Sequence, residues 1–324
     1  MSKIIKISLL LPLFISLTFL LPFLYSNPIH AQTLGLSITP PISEIVIMPG
    51  KETVQNFTIS NDGNDGIASI YLIPFRAQGE EGSVALDEES IIDDSSLFMP
   101  WFNLVSPVGN LGEKFYMAGG SQKTVTLYIS PPLDAPNKDY YFTLIFELDN
   151  EIPQGSIATG SESRARIGTN ILISVSDREN PSKNLNITEF SALKVIDSLS
   201  KLKYTVRIGN YGSYFLKTIG KISIDPIIGE IETLSLAPLN VISDSIRNIS
   251  CIESEEIVKC QSSKNVLFGV YKSTISVSAD EIGQIQEKTI TTVAFPFSIL
   301  SVAILIFITY RIIKRNNDKK IAST

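Results

Sequence analysis

The chain has 324 residues, of which 27 are Lys or Arg, 33 are Asp or Glu and one is His, and its formal net charge at pH 7 is −6. An acidic chain is a poor partner for nucleic acid, whose phosphates bind basic surfaces. The histidine, His30, lies close to the start, so the rest of the chain has no imidazole for a catalytic pair or a metal site. Because motifs for phosphate binding, serine hydrolysis and dithiol redox chemistry are also missing, we predict a protein that is not an enzyme and has no cofactor.

Residues 1–31 have the layout of a secretory signal peptide. Lys3 and Lys6 precede the apolar run Ile7–Leu24, and the small-residue site Ile29–Ala31 follows it. A basic start, an apolar centre and a small-residue cleavage site are the three parts of such a signal. We therefore predict cleavage at the end of this segment and export of the chain that follows.

Residues 34–176 have the pattern of β-strands. Apolar side chains alternate with polar ones over Val125–Ile129 and over Tyr140–Leu148, which gives each segment one face for a core. Pro49-Gly50 and Asn61-Asp62-Gly63 mark turns between such segments. Many short strands separated by turns predict an all-β domain, a first immunoglobulin-like β-sandwich.

Two features of this domain form a candidate binding surface. One is the aromatic pair Trp101 and Phe102, since a tryptophan can stack on a sugar ring, although a lone tryptophan between strands is also typical of a core anchor. The other is a run of loop carboxylates, comprising Asp87, Glu88, Glu89, Asp93 and Asp94. Long loops often meet ligands and carboxylate oxygens suit calcium, but a solvated acidic loop has the same composition.

The polar run at residues 177–183 carries four charges and a proline, which is typical of a linker between domains. A new alternating pattern follows, in which Leu202, Tyr204, Val206 and Ile208 share one face. Residues 184–292 are therefore predicted to form a second immunoglobulin-like β-sandwich.

The chain has two cysteines, Cys251 and Cys260, and both lie in the second predicted domain. A pair of cysteines in an exported chain predicts a disulfide, because exported proteins meet an oxidising environment. A metal site would need further soft ligands nearby, and the segment has none. We predict a short disulfide loop.

Residues 293–313 are predicted to form a transmembrane helix, and residues 314–324 a basic tail. The run Val293–Tyr310 is apolar or neutral and long enough to cross a bilayer. Basic residues follow it closely, namely Arg311, Lys314, Arg315, Lys319 and Lys320. Since basic flanks stay on the cytoplasmic side, the prediction is a single-pass protein of the cell membrane, with its N-terminal bulk outside and its tail in the cytoplasm.

The order of signal, two β-sandwiches, one span and a short basic tail resembles the WxL-interacting surface proteins of Gram-positive bacteria. The segments that carry this resemblance are Leu36–Pro41, Met48–Val54, Asn61-Asp62-Gly63, Ala118–Val125, Val206–Gly212 and Gly269–Tyr271. The resemblance implies a first domain that binds peptidoglycan and a second domain that binds a protein partner.

Two hypotheses for function follow. The first is a membrane-anchored, non-catalytic adhesion protein that attaches to a cell-wall polymer or to another exported surface protein. The alternative is a tethered assembly factor, similar to pilus chaperones, that binds exported subunits by strand addition. The alternative requires a basic anchoring residue in the cleft between the domains, for which Arg164, Arg166 and Arg178 are candidates. A glycosidase, a weaker third hypothesis, requires two carboxylates in a concave site.

Overall fold

The computed structural model describes residues 35–93, 95–105, 109–150, 163–178, 181, 183–279 and 284–321, without the side chains of residues 150, 163 and 316–321. The predicted signal peptide lies outside these ranges, as do Asp94 and part of the predicted linker. Elsewhere the chain is mostly β-strand with one long helix near its C-terminal end, as predicted.

The first ten strands make up what we call the N-terminal unit. They are β1 (Leu36–Thr39), β2 (Ile42–Ile47), β3 (Thr53–Asn61), β4 (Gly66–Gln78), β5 (Ser83–Leu86), β6 (Phe102–Val105), β7 (Lys114–Met117), β8 (Ser121–Ile129), β9 (Lys138–Asn150) and β10 (Ser163–Val175). One sheet has the order β1-β3-β8-β6, and the other has the order β2-β10-β9-β4-β5, with β7 also paired to β4. Short 3-10 turns occupy Glu88–Ser90 and Met99–Trp101.

The two sheets of the N-terminal unit enclose one apolar core. The predicted alternation is confirmed, because Val125, Leu127 and Ile129 of β8 are all fully buried. Phe142, Leu144 and Phe146 of β9 are buried in the same core. Period-two alternation thus places one face of each strand between the sheets, as in a β-sandwich.

The remaining strands make up the C-terminal unit. They are β11 (Leu185–Ser191), β12 (Val195–Asp197), β13 (Thr205–Asn210), β14 (Leu216–Lys217), β15 (Ile219–Pro226), β16 (Glu232–Leu236), β17 (Asn240–Val241), β18 (Ser245–Asn248), β19 (Cys251–Glu253), β20 (Glu256–Val258), β21 (Gly269–Ser278) and β22 (Gln286–Phe295). One sheet has the order β11-β13-β18, the larger has the order β12-β22-β21-β15-β16-β19-β20, and β14 pairs with β17. A second apolar core lies between them, and the predicted face of Leu202, Tyr204, Val206 and Ile208 is part of it.

Helix α1 (Phe297–Ile321) follows β22 after Pro296. The prediction that the helix begins at residue 293 is therefore wrong, and the second predicted domain does not end at residue 292. Val293 and Ala294 are strand residues that pair with Val195 and Ile196 of β12. An apolar strand runs directly into an apolar helix here, so hydropathy alone does not separate them. The stretch Phe297–Arg315 is long and apolar enough to cross a membrane, and none of it is buried in the protein.

The predicted disulfide between Cys251 and Cys260 is confirmed, and both cysteines are buried in the core of the C-terminal unit. It closes the β19–β20 hairpin, whose turn residues Ser254 and Glu255 both have positive φ angles of 50° and 70°. Two successive positive φ angles are characteristic of the tight turns that match strand twist. The disulfide thus links the two ends of this hairpin, and the pairing of β19 with β16 joins the hairpin to the rest of the sheet.

Replacing both cysteines by alanine is expected to lower the free energy of unfolding by about 2–3 kcal/mol, because a loop of about ten residues is no longer closed in the unfolded chain. Urea unfolding of the two proteins measures this difference. An unchanged unfolding midpoint would show that the disulfide does not stabilise the folded state.

Candidate functional site

Strand β10 has an open edge along its first half. Strand β9 pairs with all of Ser163–Val175, whereas β2 pairs on the other side only with Asn170–Val175. Among the residues that the structure describes, no strand forms a hydrogen-bonded ladder with the outer side of 163–169, although β1 packs near β10 without pairing with it. Uncovered edges present free backbone N–H and C=O groups that another chain can pair with.

Two prolines explain why the covering strand stops there. Pro40 and Pro41 lie directly before β2 and have no backbone N–H, so they cannot continue a ladder along β10. The chain before them, β1, pairs instead with β3 in the opposite sheet. Thr169 of β10 donates a hydrogen bond to the carbonyl oxygen of Pro40 at 2.6 Å, which fixes the point where the two strands separate.

Side chains on the outer face of this open segment form an ion-pair network. Arg164 Nε lies 2.7 Å from Asp149 Oδ1. Arg166 pairs with Glu147 and lies 3.5 Å from Glu88. Burial, followed by the hydrogen bond it donates to Glu147, raises the pKa of Tyr71 beside them. Arg164 and Arg166 therefore form ion pairs with neighbouring carboxylates on the solvent face of the sheet, and neither lines the cleft described below.

A buried carboxylate joins the two units at the other end of β9. Asp139 accepts hydrogen bonds from the hydroxyls of Ser174 at 2.5 Å and Tyr141 at 2.7 Å, and from the backbone N–H of Phe215 in the C-terminal unit. The Asp139 N–H in turn donates to the Ser213 carbonyl at 3.0 Å. Burial raises the pKa of Asp139, even though its hydrogen bonds favour the charged form.

Apolar and polar contacts extend this junction. Phe75 and Leu172 of the N-terminal unit pack against Phe215 of the C-terminal unit. Tyr141 accepts a hydrogen bond from the backbone N–H of Ser243 at 2.8 Å. The two units thus meet through a small apolar cluster flanked by buried hydrogen bonds.

The turn between β4 and β5 forms a second link. The carbonyl oxygen of Glu80 accepts a hydrogen bond from the backbone N–H of Asn248 at 2.7 Å. The carboxylate of Glu80 forms an ion pair with Arg207. Glu81 accepts a hydrogen bond from the Asn248 side chain. Glu80 and Glu81 thus both contact the C-terminal unit.

Between these links lies a small open cleft with a water-accessible volume of about 70 Å³. The residues that matter for its chemistry are Ile42, Phe75, Asn170, Leu172, Ile246 and Arg247. No Asp or Glu is among the described residues that line it. Ile42 and Asn170 also mark the point where β2 begins to cover β10, so the open edge leads into this cleft.

Arg247 is the basic residue of the cleft. Its guanidinium donates to the carbonyl oxygen of Asn240, while Nε has no partner among the described residues and no described carboxylate forms an ion pair with it. Burial lowers the pKa of Arg247, and the charge of Glu81 opposes this change. The guanidinium also packs on Gly82, where a Cβ atom would clash with Nη2. A glycine with φ of +83° leaves room for this arginine.

The predicted aromatic pair does not form an exposed surface. Trp101 and Phe102 are both buried in the core of the N-terminal unit. Trp101 lies 4.7 Å, between ring centroids, from Tyr140 and 5.3 Å from Phe98. The 3-10 turn at Met99–Trp101 directs the indole inward, so the prediction of a sugar-stacking platform at these residues is wrong.

The predicted acidic residues are exposed but do not converge. Asp87 accepts a hydrogen bond from Ser90, and Asp93 accepts two from Ser95, so both stabilise local turns. Glu88 contacts Arg166, Glu89 is exposed, and Asp94 lies outside the described residues. No group of three His, Cys, Asp or Glu among the described residues could hold a metal ion.

Sequence reasoning missed Asp139, Arg247 and the open edge. Asp139 and Phe215 are 76 positions apart, and neither stands out in a local pattern. The proline pair before β2 is the one signal that could have indicated an interrupted edge, because proline is unable to donate to a ladder. Arg178, the third basic candidate, is exposed just after β10.

No protein-family model and no curated protein matches the chain. Among solved structures, the chain is similar to the class 5 fimbriae chaperone CfaA, with 14% identity over 81% of this chain and 100% of that chain, at a TM-score of 0.39. It is also similar to the complex of the Salmonella enterica SafA pilin with the SafB chaperone. The identity is 10% over 81% of this chain and 98% of that chain, at a TM-score of 0.36. A third similar structure is the complex of CsuC with CsuE from Acinetobacter baumannii. The identity is 11% over 81% of this chain and 99% of that chain, at a TM-score of 0.34. At TM-scores below 0.5 these similarities do not establish a function for this chain, and the resemblance to WxL-interacting proteins stays a prediction.

Substitution of Asp139 by asparagine is expected to change how stability depends on pH. The folded state raises the pKa of this group, so its contribution to stability is complete below the unfolded pKa of about 4 and is lost as pH rises through the folded pKa. Wild-type protein should therefore lose stability relative to D139N as pH rises through that window, measured by urea unfolding.

Asp65 provides a control of opposite sign. It is exposed, and the backbone N–H of Gly119 is the main cause of its lowered pKa. The contribution of Asp65 to stability is present above its unfolded pKa and is lost as pH falls through its folded pKa. D65N should therefore remove a stabilisation that grows with pH. Parallel pH profiles for wild type and D139N would contradict the assignment to Asp139.

Proposed function

We propose that this chain is a membrane-anchored, extracytoplasmic and non-catalytic binding protein that holds an exported protein partner by strand addition. In this role an extended segment of the partner pairs with the open edge of β10, and its end enters the cleft beside Arg247. Such a protein acts as an assembly factor for exported subunits, the alternative function considered from the sequence.

The observation that carries this proposal is that a strand edge without a pairing strand leads to Arg247, which forms no ion pair with a described carboxylate. Added strands gain affinity from main-chain hydrogen bonds, which need no particular side chain. A charged hydrogen-bond donor at the end of such a groove selects a carboxylate, and a hydrogen bond to a charged group contributes about 1.5–3 kcal/mol. The edge and Arg247 together suit the C-terminal end of an extended chain.

The same geometry favours a protein partner over a cell-wall polymer. Sugar binding commonly uses an exposed aromatic ring, and the one tryptophan of the chain is in the core. Hydrolysis of a glycoside needs two carboxylates facing one another, and the described lining of the cleft contains none. The cleft therefore suits the binding of a protein segment better than the hydrolysis of a glycoside.

The helix α1 gives the anchor in this proposal. Its apolar part is followed by Arg311, Lys314 and Arg315, and by further basic residues at 319 and 320. Because basic residues near a span tend to remain on the cytoplasmic side, this pattern supports an orientation with both β-units outside. The cleft and the open edge then face the compartment through which exported chains pass.

A labelled ten-residue peptide of alternating valine and threonine tests the role of Arg247. Full-length protein in detergent is expected to bind the peptide with a free C-terminal carboxylate about tenfold more tightly than the C-terminal amide, since one charged hydrogen bond corresponds to at least that factor. R247A should bind both forms equally, as measured by fluorescence anisotropy.

The matched control for this experiment is R178A, which removes an exposed arginine outside the cleft. It should retain the preference for the free carboxylate. If R247A retains the preference as well, or if the wild-type protein binds neither peptide, the proposed site is wrong.

A lysine on the open edge tests strand addition itself. Ala165 lies in the uncovered part of β10, and a lysine there should block pairing, because charged side chains on edge strands oppose addition of another strand. A165K is expected to weaken peptide binding at least tenfold. V105K changes β6, the edge of the other sheet, and should bind like wild type; equal loss in both variants would contradict a specific edge.

A further inference from the structure

One end of the C-terminal unit carries a group of exposed, large apolar side chains. They are Ile228, Ile227, Phe268, Val266 and Ile231, exposed by 85%, 75%, 71%, 63% and 62%. Soluble surfaces expose such residues singly, and a group at one end of a domain marks a contact surface. We refer to these five residues as the apolar end.

Strand register shows that these residues share one end of the large sheet. In β21 and β22, Gly269 lies opposite Ala294, so the loop before β21 is beside the end of β22. In β15 and β21, Pro226 lies opposite Tyr271, so the loop after β15 is there as well. The loops 227–231 and 266–268 therefore project from the same side as the end of β22.

The apolar helix leaves the sheet from this same end. Strand β22 ends at Phe295, and the rings of Phe295 and Phe297 lie 4.8 Å apart between centroids. Asp197, at the end of β12, accepts a hydrogen bond from the backbone N–H of Ser298 at 2.7 Å. The first turn of helix α1 is thus fixed to the sheet close to the apolar end.

Backbone hydrogen bonds hold the two loops in their outward conformation. The N–H of Ile227 donates to the carbonyl of Val270 at 3.1 Å, and the N–H of Leu267 donates to Ser198 at 2.8 Å. Leu267 is fully buried between its exposed neighbours Val266 and Phe268. The apolar end is therefore preformed, with buried anchors and exposed tips.

We infer that the apolar end rests in the outer interface of the same bilayer that helix α1 crosses, an inference that depends on the anchor in the proposed function. A span that begins at Phe297 brings this end to the level of the lipid headgroups. Isoleucine and phenylalanine side chains there lose their contact with water by entering the interface, as in other membrane-surface contacts.

The charges nearby indicate which lipids suit this surface. The Lys264 ammonium group donates a hydrogen bond to the carbonyl oxygen of Glu230 at 2.8 Å. The β19–β20 hairpin at the edge of the same sheet carries Glu253, Glu255 and Glu256. This surface therefore contacts the bilayer through apolar side chains and suits zwitterionic lipids better than strongly anionic ones.

Tryptophan scanning of the full-length protein in phosphatidylcholine vesicles tests the inference. Variants I228W and F268W are expected to show blue-shifted emission and severalfold stronger quenching by lipids brominated near the headgroup than the wild type. The native Trp101, buried in the N-terminal unit, gives the background signal. Variant Y211W is the matched control, because Tyr211 is exposed beside the junction with the N-terminal unit and should remain unquenched.

Variant F307W separates this inference from the anchor. Phe307 lies near the middle of the apolar part of helix α1 and should be quenched by lipids brominated deep in the acyl chain. If F307W is quenched while I228W and F268W behave like Y211W, the inference is wrong and the anchor stands. If F307W is unquenched, both the anchor and the inference fail, whereas peptide binding at Arg247 remains separately measurable.

Discussion

The buried hydrogen bonds of Asp139 fix how the two β-units meet. This carboxylate receives donors from β9, from β10 and from the backbone of the C-terminal unit, and so joins two separate apolar cores. A buried charge is stable only when its hydrogen bonds are satisfied, so the two units must meet in one arrangement to satisfy them. That arrangement places Arg247 of one unit beside the exposed end of the β2 ladder of the other.

Open edges usually promote aggregation, and proteins cover or shorten them. Here two prolines keep β2 from covering the first half of β10, while arginines on its outer face add charge next to the free backbone. Charged neighbours limit pairing with arbitrary chains, and in the proposed function the cleft at one end of the edge selects a chain end. The proposed function thus combines protection of this edge with selective use of it.

Local patterns predicted much of this fold, because side-chain alternation depends only on neighbouring residues. The strands around Val125–Ile129 and Tyr140–Leu148, the Cys251–Cys260 disulfide and the apolar C-terminal helix were all predictable in that way. The site was not, since Asp139 and Arg247 acquire their roles from partners far along the chain. Trp101 was conspicuous in the sequence, but composition alone did not indicate whether its ring faced the core or the solvent, and the ring is buried.

Hydrogen exchange of the full-length protein, with and without the valine–threonine peptide, tests strand addition most directly. We expect amides in residues 163–169 to exchange fast on the open side of β10 and to become protected when the carboxylate peptide binds. Protection confined to another strand, such as β6 (Phe102–Val105), or no change along β10 despite saturation with peptide, would contradict it.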